Sequence, residues 1–250
     1  MVEYQKLRHA RRYTLLTPKY KRIMIKISGE ALSGGSGTGI DAATINSIAA
    51  AIKDTRDIGC EIALVCGGGN FWRGARNGLV MERSRADHMG MLATVMNCIA
   101  LSEALENLGV PTRVMSMVDM PRVAESYNVS AALRYLSEGI VTIFGGGTGC
   151  PYFTTDTGVV LKGIEMHVDL ILLAKNVDGI YEADPRTNPD AKKFNRISFE
   201  EVLARGLKAT DSTAMSLLVD NRTPVLLFKA EPPENIVRAA KGEAIGTVLY

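Results

Sequence analysis

Three times along this chain a helical pattern stops at a lone glycine and an apolar, β-branched run follows. The glycines are Gly59, Gly109 and Gly139, and the runs behind them are "EIALVC" (61–66), "TRVMSMV" (112–118) and "IVTIF" (140–144). Glycine ends a helix well because it takes up the left-handed conformation at no steric cost. Strands that alternate with helices in this way require crossover connections. They therefore run parallel in one sheet with helices over both faces. "RIMIKIS" (22–28), "DLILLA" (169–174) and "PVLLFK" (224–229) read as further buried strands. Asp41 is placed to N-cap a helix carrying Ile45, Ile48, Ala49 and Ile52. A longer helical pattern spans about Ser84–Leu108, Ser198 with Glu201 fits a capping box, and Asp211 fits another N-cap.

A chain of 250 residues suits one large α/β domain or two small ones. Residues 21–250 read as a single domain. Residues 1–20 stand apart: Lys6, Arg8, Arg11, Arg12 and Lys19 face one acid, Glu3. They read either as a solvated tail or as a basic arm that touches a neighbouring subunit or a polyanion. With a net charge of +2, composition gives no ground to expect a nucleic-acid or membrane partner. No uninterrupted apolar run approaches the roughly 18 residues that span a bilayer. The N-terminus has no apolar core of a secretory signal. Cys60, Cys66, Cys98 and Cys150 are scattered, with no paired or zinc-ligand spacing, which points to reduced thiols in a cytoplasm and to no protein-held metal.

In parallel sheets ligands bind outside the carboxyl ends of the strands, and the glycine-rich stretches fall there. "KISGEALSG" (26–34) ends the first strand. Lys26 lies in an apolar run, where a charge is costly unless its ammonium finds an anion at the strand end. "VCGGGNFWRG" (65–74) strips three Cβ atoms from the chain as it leaves the sheet. Its bare N–H groups can make an anion-binding concavity, Arg73 supplies a fork suited to phosphate, and Trp72 reads as packing. "RADHMGM" (85–91) puts Asp87 near a helix start, either as a first-turn acid or as an acceptor for a sugar diol. Met89, Met91 and Met96 read as core or subunit contact.

"GGGTGCPYFTTDT" (145–157) sets hydroxyls on a glycine loop, with Asp156 either a helix cap or a site group. It suits a small polar ring carrying phosphate. In "AKNVDGIYEADP" (174–185), Asn176, Tyr181 and Asp184 sit beside an Asp178–Gly179 turn; an adenine and its ribose would fit, as would an ordinary hairpin. The sequence has neither a P-loop lysine motif nor the catalytic motifs of a protein kinase.

Taken in order, "IKISGEAL", "GGGNFWRG", "DHMGMLATVMN", "GTGCPYFTTD" and "VDGIYEADP" resemble the bacterial uridylate (UMP) kinase branch of the amino acid kinase superfamily, across about residues 21–250. The resemblance implies an α/β fold, a three-layer α/β/α sandwich around a mostly parallel sheet. It implies a nucleoside monophosphate kinase that turns ATP and UMP into ADP and UDP for pyrimidine nucleotide biosynthesis, with Mg²⁺ carried by the nucleotide. It implies a homohexamer, with GTP as activator and UTP as inhibitor. Carried over residue by residue, Lys26, Arg73 and Asp156 are catalytic, and Asp156 orients Lys26. Lys26, Ile27, Ser28, Gly29, Gly69, Arg73, Asn176, Tyr181 and Asp184 hold ATP. Gly68, Asp87, Thr148, Gly149, Cys150, Pro151, Tyr152, Phe153, Thr154 and Thr155 hold UMP. The activator region falls on Gly34, Gly35, Ser36, Gly37, Thr38 and Gly39. Cys150 stands where a common pattern of the family has asparagine, and "GGSGTG" carries no acid or aromatic.

Overall fold

A computed structural model of the protein describes residues 18–73, 81–185 and 187–250. Of the basic extension, residues 1–17 lie outside the described residues. The strands are β1 (Arg22–Ile27), β2 (Glu61–Cys66), β3 (Thr112–Ser116), β4 (Glu125–Ser126), β5 (Val141–Gly145), β6 (Leu170–Lys175), β7 (Arg196–Ile197), β8 (Val225–Lys229) and β9 (Gly246–Leu249). They form one sheet in the order β4-β3-β5-β2-β1-β6-β8-β9-β7. Neighbours pair in parallel except β8 and β9, which are antiparallel. The short strands β4 and β7 and the reversed β9 carry no strong apolar pattern.

Alternation along β1 shows how two cores arise. Ile23, Ile25 and Ile27 belong to the core shared with α1 (Gly29–Leu32), α2 (Ala42–Asp57), α3 (Arg83–Glu106) and α8 (Asn235–Ala240). Met24 belongs to the core on the other face, with α4 (Val129–Ser137), α5 (Thr155–Glu165), α6 (Phe199–Ala204) and α7 (Ser212–Asn221). Successive strand residues point to opposite faces, so Lys26 follows Met24 onto the α5 side. The result is a three-layer α/β/α sandwich.

Helix ends follow the sequence signals. Gly59, Gly109 and Gly139 have φ of 102°, 76° and 74°. Asp41 accepts from Thr44 N at 2.7 Å, and Asp211 from Ala214 N at 2.9 Å. Two signals read differently. Ser198 Oγ accepts from Glu201 N at 3.1 Å, but the Glu201 carboxylate pairs with Arg205 at 2.6 Å, so only half of the capping box forms. The long helix starts one residue early, because the Glu82 carboxylate caps it through Ser84 N and Arg85 N at 2.9 and 3.0 Å.

The chain leaves β1 for β2 on one side and later returns to β6 on the other. Strand order therefore reverses at β1, which opens a crevice at its carboxyl end. Among the described residues α3 alone is long and apolar enough to cross a membrane, with a mean hydropathy of 1.2, and half of its apolar window is buried. Its buried residues pack against β2, β3 and β5. Arg83, Arg85 and Asp87 interrupt its start, which is why no continuous apolar run shows in the sequence.

The antiparallel closure depends on Gly246. A Cβ there would lie 2.1 Å from Leu227 O and 2.9 Å from Phe228 Cβ. Gly246→Ala must push β9 off β8, and overpacking of this kind costs about 1–3 kcal/mol. We expect calorimetry to show Tm lowered by roughly 2–12 °C, and an unchanged Tm would mean that the two strands part without strain.

Candidate active site

At the end of β1, on the α5 face, Lys26 Nζ lies 2.8 Å from Asp156 Oδ1. Lys175, the last residue of β6, reaches the other oxygen, with Nζ 3.0 Å from Asp156 Oδ2, and donates to Ala209 O at 2.8 Å. The three side chains are mostly buried. Burial works to raise the Asp156 pKa, but the two ammonium groups outweigh it and hold the carboxyl at about 2. Asp156 does not cap its helix: Thr154 Oγ1 does, accepting from Asp156 N at 3.1 Å and Thr157 N at 3.4 Å. The Lys26 approach is an ion pair off the line of a directed hydrogen bond, which leaves Asp156 Oδ1 buried without a hydrogen-bond donor.

The loops after β1 and β2 lie against each other. A Cβ on Gly29 would meet Asn70 Oδ1 at 2.4 Å and Gly69 N at 2.8 Å, so only glycine permits this approach. Two buried amides lock the second loop to α3. Asn97 Nδ2 donates to Gly67 O at 2.6 Å and to Asn70 Oδ1 at 2.7 Å, and Asn70 Nδ2 donates to Gly39 O at 2.7 Å. Gly68 packs on α3, where a Cβ would meet Gly90 O at 2.8 Å. Trp72 is packing with one polar tie, Nε1 to Ala86 O at 2.8 Å. Arg73 Nε donates to Gly69 O at 3.0 Å, and its Nη2 pairs with Glu30 on α1.

Between these loops, α3 and the β5–α5 loop opens a cleft of about 410 Å³, within the range of small-ligand sites. Gly68, Asp87, Thr148, Cys150, Phe153, Thr154 and Thr155 all line it, as does Arg73. Gly149 and Pro151 belong to the same loop, and Tyr152 takes a φ of 72°. That conformation turns Tyr152 N onto Asp87 Oδ2 at 2.8 Å, while Arg83 Nε donates to both Asp87 oxygens at 3.0 and 2.8 Å. The carboxylate keeps acceptor capacity on Oδ1. Met91 is buried beside this cleft, whereas Met89 and Met96 are exposed. Thr154 is tied to α7 through Asp211 Oδ2 at 2.5 Å, so Asp211 anchors two helices.

On the other side of the triad a hollow of about 290 Å³ is lined by Glu30, Gly34, Gly37, Arg73, Asn176 and Glu231. Ile27 and Ser28 connect it to β1, and Ser28 caps α1. Gly35, Ser36, Thr38 and Gly39 complete a tight loop whose Thr38 Oγ1 and Gly39 N both donate to Asn70 O at 3.1 Å. Past Asn176 the chain turns at Asp178, and Tyr181 Oη donates to Asp178 Oδ1 at 2.8 Å. Tyr181 meets Lys193 in one isolated antiparallel bridge, so this stretch is not a regular hairpin. Asp184 follows, with its carbonyl accepting from Asn188 N at 2.8 Å.

The family model for the amino acid kinase family matches residues 21–229. The chain belongs to the amino acid kinase family. Among solved structures it is similar to UMP kinase from Bacillus anthracis, at 35% identity and TM-score 0.89, over 92% of this chain and 96% of that one. It is similar to UMP kinase from Ureaplasma parvum at 36% identity and TM-score 0.88, over 92% and 98%. Uridylate kinase from Archaeoglobus fulgidus shares 26% identity at TM-score 0.68, over 91% and 99%.

For a member of the amino acid kinase family, the sequence reading missed four groups at this site: Lys175, Asn70, Asn97 and Arg83. Asn97 had a visible signal, an amide inside the apolar run of α3. Lys175 looked like the polar end of a strand, and nothing local pairs it with Asp156.

Asp156 gives a pH-dependent term in stability. Its folded pKa is depressed from 3.8 to about 2. The stabilisation is therefore complete above about pH 4 and lost as pH falls through about 2, and it amounts to about 2 kcal/mol. Asp156→Asn should be less stable than the wild type at pH 7 by about that amount, with the gap closing towards pH 2. Urea midpoints across that range measure it, and a gap that ignores pH would show that the carboxylate charge is not what the lysines hold.

Proposed function

We propose that this chain transfers the γ-phosphoryl group of ATP to UMP, giving ADP and UDP in pyrimidine nucleotide biosynthesis. The observation that carries the reading is the cleft in which the hydroxyl-rich loop 148–155 faces Asp87, with Arg73 shared with the hollow beyond. Similarity to proteins called UMP kinase supports it. UMP occupies the cleft against Gly68, Asp87 and Thr148–Thr155. ATP lies along Lys26–Gly29, Gly69 and Arg73, with its base and ribose towards Asn176, Tyr181 and Asp184.

Phosphoryl transfer needs positioning and charge neutralisation more than covalent chemistry. The glycine loops hold backbone N–H dipoles that need no reorganisation as charge moves. Lys26 and Arg73 neutralise charge on the transferred group. Asp156 orients Lys26, and Lys175 shares that carboxylate. A protein base is unnecessary, because a phosphate monoester has lost its second proton by pH 7, its pKa being about 6. Among the described residues no cluster of three His, Cys, Asp or Glu side chains can hold a metal, and both oxygens of Asp156 face ammonium groups. These residues fit a Mg²⁺ that arrives on the ATP phosphates. The nucleotide would hold such an ion, which would offset charge on the phosphates.

We also infer a cytoplasmic homohexamer. Met89, Leu92, Met96 and Ile99 make an exposed apolar stripe along α3, which supports burial against another copy. GTP activation through Gly34–Gly39 and UTP inhibition belong to the same reading. The loop's contact with Asn70 supports a link from Gly34–Gly39 to the phosphate loops.

Coupled ADP release with UMP, CMP and glutamate as acceptors tests the reaction. Uracil and cytosine differ in hydrogen-bond pattern, and a site built for one pattern rejects the other by orders of magnitude. We expect kcat/KM for UMP to exceed that for CMP by about 100-fold or more, and equal values would remove the uridylate assignment. Asp87→Ala should weaken UMP by about 1.5–3 kcal/mol, the worth of a charge-assisted hydrogen bond, and leave ATP nearly unchanged. Calorimetry that finds ATP weakened instead would reverse the two sites.

A further inference from the structure

Lys162 sits in the middle of α5 and is 1% exposed. Burying an ammonium is expensive, and an apolar side chain of similar length would fill the space without that penalty. Burial pulls the Lys162 pKa down to about 8, with Glu165 and the Cys98 thiol pulling the other way. Its Nζ donates to Gly147 O at 2.6 Å and stands 5.3 Å from the centroid of the Tyr127 ring. The Tyr127 hydroxyl in turn donates to the Glu165 carboxylate.

We propose that Lys162 is a positioning residue for the acceptor nucleotide: it holds the Gly147–Thr148 peptide with its carbonyl inward and its N–H towards the cleft. The proposal rests on reading that cleft as the UMP site. A trans peptide points C=O and N–H in opposite directions, so the bond to Gly147 O fixes where Thr148 N–H aims. Among the described residues Thr148 N donates no hydrogen bond within the chain, and Gly147 and Thr148 line the cleft. Gly147 has a φ of 60°, and glycine adopts many other conformations as readily. Neighbouring ties leave this carbonyl alone: Gly146 N donates to Thr94 Oγ1 at 2.8 Å and Gly149 N to Gly146 O at 2.9 Å. Among the described residues Lys162 is therefore the group whose hydrogen bond to this carbonyl favours one orientation of the peptide.

Lys162→Met keeps the stem and removes the donor. We expect it to fold with a Tm equal to or above the wild type, and UMP to bind about 10- to 100-fold more weakly, as for a lost hydrogen bond to a charged group. ATP affinity should be unchanged, and Lys162→Arg, which restores a donor, should recover most of the UMP affinity. Calorimetric titration of each nucleotide and thermal unfolding give all four readings. Lys162→Gln, too short to reach and uncharged, provides the same comparison if Lys162→Met does not fold. Wild type that binds UMP while both uncharged variants bind it equally well overturns the proposal alone. A lowered Tm with UMP and ATP weakened alike would reduce Lys162 to a structural role and overturn it too. Wild type that binds no UMP would instead remove the reading of the cleft on which the proposal rests.

Discussion

One carboxylate held between two ammonium groups organises the working end of this sheet. Asp156 comes from the first turn of α5, Lys26 from the end of β1 and Lys175 from the end of β6. α5 and β6 follow one another along the chain, but β1 lies more than 120 residues before them. The parallel topology brings them together where strand order reverses, and the ion triad then fixes the distance between sheet and helix. A buried charge is tolerated only when paired, so each member constrains the other two. The loops that line the cleft on one side and the hollow on the other hang from these same elements.

The second constraint is steric. Gly29 and Gly69 approach so closely that a single added carbon would separate the loops after β1 and β2. The Asn70–Asn97 amide pair then ties the second loop to α3, the helix that carries Asp87. The backbone dipoles and the guanidinium thus sit on a loop tied to β1 and α3, and the carboxylate on α3 itself. Groups held this rigidly need little rearrangement when charge develops between them.

The architecture was largely legible in the sequence because periodicity and glycine punctuation are local signals. Gly59, Gly109 and Gly139 mark helix ends, and each apolar run they release became a strand. β9 escaped because its pairing depends on Gly246 fitting under Leu227, a contact between distant parts of the chain. At the site, the glycine loops and Arg73 stood out by residue type at strand ends, whereas Asp87 read equally as a first-turn acid of its helix. Asp156 was ambiguous, since an acid at that position caps a helix as readily as it pairs with a lysine; Thr154 took the cap. Lys175 and Lys162 were illegible as site groups because their partners lie 19 and 15 residues away; Asn97 showed as an amide in an apolar run, but its partner, 27 residues away, did not. Only the folded chain puts such pairs in reach.

Arg73 is engaged within the chain. Its guanidinium pairs with Glu30 and faces both the cleft and the hollow. On the proposed reading, an anion that comes to Arg73 would share its guanidinium with Glu30 or displace it, and Glu30 would then stand beside the newcomer as a like charge. A small anion with one contact to offer would gain little from that exchange, whereas a ligand that also engaged the glycine N–H groups would bring enough partners to complete it.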